Sequence, residues 1–105
     1  MLKSLIPAMM IAASLPALAG SANGRVNLIA VQPGVIVIEI ANQVDRPACA
    51  TMTGFTIDGS SSEGKNTMAL ALAAASQNKS ISVTGKGVCT LTGNRENIAY
   101  VVVVN

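Results

Sequence analysis

Five carboxylates (Glu39, Asp45, Asp58, Glu63, Glu96), two cysteines (Cys49, Cys89) and no histidine are the groups with which this 105-residue chain could do acid–base, nucleophilic or metal chemistry. Without histidine, neither a Ser-His or Cys-His dyad nor a His-ligated metal can form. Two cysteines cannot complete a four-ligand zinc site without unusual oxygen donors. The acids show no spacing of a catalytic pair, so a glycosidase-like pair would have to be assembled by the fold. Solvated acids are the ordinary expectation for a domain of this size. Glu39 alone interrupts an apolar run, VIVIEIA. Strand alternation predicts that it points outward rather than lining a pocket. Glu39 and Asp58 are the acids whose amide variants would test a hydrolase. No catalytic residue, cofactor or metal ligand is expected, and the chain reads as a non-enzyme.

The binding chemistries are also narrow. Gly85-Lys86-Gly87 lacks the third glycine of a phosphate loop and predicts a tight turn between strands. Phe55 and Tyr100 are the only aromatic residues. Stacking on single-stranded nucleic acid needs more aromatics and a basic groove. Tyr100 lies in a strand pattern, which favours a core or interface position over a sugar platform. The hydroxyls of Thr51 and Ser60-Ser61-Ser62 read as solvated loop groups.

The start of the chain places these groups in a compartment. Lys3 gives a positive n-region, Leu5 to Leu15 a short apolar h-region, and Ala17-Leu18-Ala19 the small-x-small pattern of a cleavage site before Gly20. The expectation is a signal peptide over 1–19 and one mature domain over 20–105, exported to the periplasm or secreted. The apolar run of about 16 residues carries Pro7 and Pro16, so it is poorly suited to crossing ~30 Å of hydrocarbon. No later apolar run is unbroken enough to span as a helix, so no membrane span is expected in the mature chain. After Lys3, Arg25, Arg46, Lys65, Lys79, Lys86 and Arg95 stand scattered against the five acids, without a footprint for nucleic acid.

A mature domain this small buries only about 60% of the surface its unfolded chain exposes, so it is marginal without a staple. Both cysteines lie in the exported part, where an oxidising compartment preserves disulfides. A Cys49–Cys89 bridge is expected on that ground.

The elements that position these residues follow from apolar pattern and turn signals. Gly20 to Gly24 (GSANG) reads as a frayed terminus. Arg25 to Val31 and Val35 to Ala41 read as a hairpin around Gln32-Pro33-Gly34. The second of these strands is β-branched on both faces and needs cover on both. Asn42 to Gly54 is loop, and Phe55 to Ile57 a short strand. Asp58 to Gly64 (DGSSSEG) is a flexible turn. Lys65 to Gln77 holds five alanines between strong helix formers. Its predicted packing face is Met68, Leu72 and Ala75, flanked by Ala69 and Ala73. Ser80 to Thr84 alternates with Ile81 and Val83 inward, Gly85 to Asn97 is turn-rich, and Ile98 to Val104 closes the chain. The fold class is α+β and β-rich. The order predicts a five-stranded antiparallel OB-like barrel with one helix between strands 3 and 4. An open antiparallel sheet with one helix packed on it fits the same order. The unalternating Val101 to Val104 run wants cover on both faces, which favours a subunit interface.

Pro47-Ala48-Cys49, the Ala-rich helix after Gly64-Lys65, the Ile81-x-Val83 strand and Gly87-Val88-Cys89 resemble a family of small exported OB-fold proteins. These are akin to the B subunits of bacterial AB toxins, of the subtilase cytotoxin B type. The likeness spans nearly all of the mature chain through layout and cysteine positions. It implies a ring-forming homo-oligomer that binds a glycan. This chain is shorter and poorer in aromatics, so no sugar-contacting residue is carried over. The resulting expectation is an exported binding module for a glycan or protein partner. The alternative is a periplasmic or secreted accessory protein whose strand edges add to another protein's sheet.

Overall fold

A computed structural model of the chain describes residues 18–104. Most of the expected signal peptide lies outside the described residues. Six strands and one helix follow in the order β1 (Ser21–Gly24), β2 (Val26–Gln32), β3 (Val35–Ile40), β4 (Phe55–Asp58), α1 (Ser62–Ser76), β5 (Ser80–Gly85) and β6 (Glu96–Val104). They form one curled mixed sheet, a half-barrel, in the order β1-β5-β6-β4-β3-β2.

The β2–β3 hairpin forms as its sequence predicts. Pro33 presets φ, and Gly34 takes a φ of 76°, which closes the turn with Gln32 opposite Val35. Strand β3 is buried on both faces: Ile36, Ile38 and Ile40 join the main core, and Val37 is buried on the other side. Glu39 shares the side of Val37 and is half-buried, with Thr53 Oγ1 3.5 Å from its Oε2.

The architecture departs from the five-stranded antiparallel expectation in two ways. First, Ser21–Gly24 is not frayed. It pairs with β5 from Ser21↔Thr84 to Gly24↔Ile81, and Ala22 is buried in the core. A polar, small-residue segment gives no apolar signal, but its backbone N–H and C=O groups still find a ladder. Second, β4 and β6 run parallel, paired only at Phe55↔Glu96 and Thr56↔Asn97. The other strand pairs are antiparallel. The helix falls between β4 and β5, because β1 adds one strand to the expected count.

Helix α1 starts three residues earlier than the alanine-rich run suggests. Ser61 caps it by accepting a hydrogen bond from Gly64 N at 2.9 Å. Ser61 also donates to the carbonyl of Asp58 at 2.7 Å. The helix ends where Asn78 adopts a φ of 55° and Lys79 N–H reaches back to Ala74 O at 2.9 Å.

Of the predicted face, Met68 packs against the core, but Leu72 and Ala75 do not. Gly64, Ala71 and Ala74 are buried with Met68 beside them, whereas Leu72 is 49% exposed. The helix is apolar on several sides, so periodicity alone does not select a face. Close approach to the sheet selects the smallest residues. A Cβ on Gly64 would overlap the Asp58 carbonyl.

The core is built from Phe55, Ile38, Ile81, Val83 and Ile98 under that helix. Ile81 and Val83 point inward as their alternation predicts. The Cys49–Cys89 disulfide is present, with Cα atoms 6.0 Å apart. It joins the loop before β4 to the segment after β5. No helix among the described residues is long and apolar enough to cross a membrane.

Candidate functional site

The two-residue β4–β6 pairing sets up a polar concavity. Beyond Thr56 and Asn97 the two strands separate, and the N-terminal turns of α1 stand beside the gap. The resulting cleft of about 390 Å³ is lined by Thr56, Asp58, Ser61, Glu63, Lys86 and Asn97, with Ile57, Leu91, Ile98 and Ala99 as its apolar wall. A second hollow of about 290 Å³ shares Ile57, Glu63 and Ala99 and continues past Asn66, Thr67 and Leu70 to Tyr100. Together they form one groove between α1 and β6.

The polar groups at the cleft end are held in place. Asn97 Nδ2 donates to Thr90 Oγ1 at 2.6 Å, and Thr56 Oγ1 lies 3.4 Å from Asn97 Oδ1. Asp58 Oδ1 accepts from the Ser60 hydroxyl at 2.7 Å and from Ser60 N–H at 2.9 Å. Those two bonds, the hydroxyl first, hold the Asp58 carboxyl below the ordinary aspartate range. Glu63 sits in the first turn of α1, where the helix dipole favours negative charge. The groove thus combines two carboxylates, one ammonium, amide and hydroxyl groups, with Tyr100 on the strand at its far end.

Asp58 and Tyr100 therefore line the two parts of one groove, although the sequence did not connect them. Tyr100 is 59% exposed, so it is not a core residue, one of the two positions expected of it. It lies on the outward side of β6, and the strand pattern did not give its facing. Glu39 lines neither part of the groove. The Gly85-Lys86-Gly87 segment ends β5 as a turn with Gly87 at a φ of 78°, and Lys86 N–H bonds Asn97 O at 2.9 Å. That bond fixes the backbone from which Lys86 reaches the cleft. A third hollow of about 400 Å³ between the β2–β3 turn and α1 is mostly apolar, around Val31, Ile36 and Met68.

The expectation of five solvated acids fails at Glu96. Its side chain is fully buried, among the largest such groups in the domain. Oε2 accepts from Gly87 N at 2.7 Å and from Gly20 N at 2.9 Å, while Oε1 has no partner. Nothing in its local sequence, NRENI, distinguishes it from a surface acid. The available signal was the distant Gly85-x-Gly87 pair. Glycine is needed at position 85 because a Cβ there would overlap the Glu96 carboxylate.

Among the described residues, no group of three or more Cys, Asp or Glu side chains is placed to hold a metal ion. No protein-family model, curated protein or solved structure matches the chain.

Proposed function

We propose that this chain is an exported, non-enzymatic binding module of OB type, and that the groove between α1 and β6 takes a glycan. The OB reading is supported by the course of the first strands. Only Arg25 separates β1 from β2, yet the two lie at opposite ends of the sheet order. Counted as one bent strand, they leave five strands with the helix between the third and fourth, the OB order. Export rests on the Lys3, Leu5–Leu15 and Ala17–Ala19 pattern. The disulfide and the lack of a spanning helix among the described residues are compatible with it.

The observation that carries the glycan reading is the polar groove lined by Asp58, Glu63, Asn66 and Lys86, with Tyr100 exposed on the strand that forms its rim. A sugar presents hydroxyls that pair with carboxylates, amides and ammonium groups. Its C–H face packs on an aromatic ring whose hydroxyl can still reach water. A nucleic acid would need more stacking rings and a basic track. The lack of histidine and the paired cysteines support a role without covalent or acid–base catalysis.

Self-association belongs to the same reading. Val102 and Val104 are 49% and 42% exposed on the outer side of β6. A ring of subunits would cover them and repeat a weak sugar site, multiplying avidity.

The test is a glycan array with the mature protein, followed by titration of the best sugar against Tyr100→Ala and Lys86→Ala. Saturable binding that weakens about tenfold or more in Tyr100→Ala is expected, the loss of one good contact of about 1.4 kcal/mol. Absence of saturable binding to any sugar, or binding indifferent to both substitutions, overturns the assignment. The exposed strand surfaces would then point to an accessory protein that docks on a partner's sheet.

A further inference from the structure

Glu96 is a buried carboxylate whose hydrogen-bond partners among the described residues are two backbone N–H groups, without a cationic side chain. Its Oε1 is unpartnered. A carboxylate taken out of water with half its acceptor capacity unused carries a large desolvation cost. One of the two donors is Gly20, the residue that the Ala17–Ala19 pattern marks as first in the mature chain. The boundary between exposed and buried chain falls at the same bond: Leu18 and Ala19 are exposed, and Gly20 is buried. From Gly20 onward the backbone is held in place. Gly85 N–H bonds Gly20 O at 2.9 Å, and Ser21 exchanges hydrogen bonds with Val44 at 3.1 and 2.8 Å.

We propose that cleavage of the Ala19–Gly20 bond creates the missing counter-charge, and that the new α-ammonium of Gly20 forms a buried ion pair with Glu96. This rests on the export part of the reading above and not on the glycan site. In the cleavage, a peptidase adds water across the amide. The carbonyl carbon of Ala19 gains an oxygen and leaves as a carboxylate. The C–N bond breaks, and the Gly20 nitrogen takes up protons to become an ammonium at neutral pH. That nitrogen keeps its bond to Oε2 and gains further N–H donors within the same pocket. Oε1 already lies against Gly20, 2.6 Å from where a Cβ would stand, and the carbonyl oxygens of Asp45 and Val44 lie 2.9 and 3.0 Å from that point. These oxygens crowd the position a side chain would take at residue 20, while the nitrogen itself stands 2.9 Å from Oε2. Glycine at the first mature position is therefore a steric requirement of the pocket as well as an acceptable cleavage residue. Processing becomes a maturation step, because the uncleaved chain folds with Glu96 under-compensated and the cleaved chain does not.

The test uses the full-length chain exported from cells, with its disulfide formed. Intact mass reads the first residue, expected to be Gly20. A variant with one extra serine inserted between Ala19 and Gly20 returns the Gly20 nitrogen to an amide and displaces the ammonium. It should raise the unfolding equilibrium constant at least about tenfold, as expected for breaking a buried pair. In a Glu96→Gln background the same insertion should make little difference. Should Glu96→Gln fail to fold, reductive methylation of the unmodified protein gives an independent reading. The α-amine should resist labelling in the native state and label readily in urea. A first residue other than Gly20 sinks the processing premise. A Gly20 start with an insertion that leaves stability unchanged, or an α-amine that labels as fast folded as unfolded, sinks the ion pair. Neither result bears on sugar binding, which the array reads separately.

Discussion

Asp58 shows how much one side chain can be committed before any ligand arrives. Its carboxylate takes both donors of Ser60, and its carbonyl takes the Ser61 hydroxyl, so one residue closes the turn and supports the helix cap. Because the folded state depresses its pKa, ionised Asp58 contributes stability above its unfolded value of about 3.9. That contribution is lost as pH falls through the lower folded value. Urea midpoints measured from about pH 5 down to about pH 2 should therefore fall less steeply in Asp58→Asn than in the parent. Parallel curves would mean that the Ser60 bonds do not discriminate between the protonation states. Glu96 teaches the complementary lesson. Its burial depends on glycines 76 and 9 positions away in the chain, which no local window contains.

At the scale of elements, α1 governs the groove. Its N-terminal turns carry Ser61 and Glu63 to the cleft, and its small residues let it lie close on the sheet. The cap fixes where the helix begins and thus where Glu63 stands. Ser61→Ala removes the bond to Gly64 N–H and should cost about 1 kcal/mol in chemical denaturation. Ser61→Asp, which keeps an acceptor at the cap, should recover most of that loss. Both variants losing equally would show that the bond to the Asp58 carbonyl is the one that matters. The existence of this helix was readable from its alanines, but its first turn and most of its buried face were not. Leu72 carries more apolar surface than Ala71 or Ala74, yet it faces outward, and the helix meets the sheet mainly through its small residues with Met68 beside them.

At the scale of the whole molecule, the disulfide ties the loop before β4 to the segment between β5 and β6, across a sequence separation of 40. On the chain-entropy argument, closing that loop stabilises by about 4 kcal/mol. Reduction of the oxidised protein should lower its unfolding free energy by about that amount, read as a shift in urea midpoint at constant slope. A changed slope would place part of the effect in the compactness of the unfolded chain. Light scattering on the same two samples reads the subunit count. A mass several times the monomer in the oxidised form is expected if the exposed β6 valines meet a second copy, and a monomer would remove the avidity argument.

The sequence by itself determined the elements whose signals are local. The β2–β3 hairpin follows from β-branched runs around Pro33-Gly34, the inward set of β5 from its alternation, and the cysteine pairing from there being only two. Tertiary structure alone decided the rest. It made a strand of Ser21–Gly24, because backbone hydrogen bonding needs a neighbour and not an apolar pattern. It set β4 parallel to β6 for only two residues, and so opened the groove that Asp58 and Tyr100 both line. It also buried Glu96 under Gly20 and Gly87. These outcomes depend on which backbone segments the closing sheet brings side by side, and residues far apart in the chain carry no mutual signal until the core has packed between them.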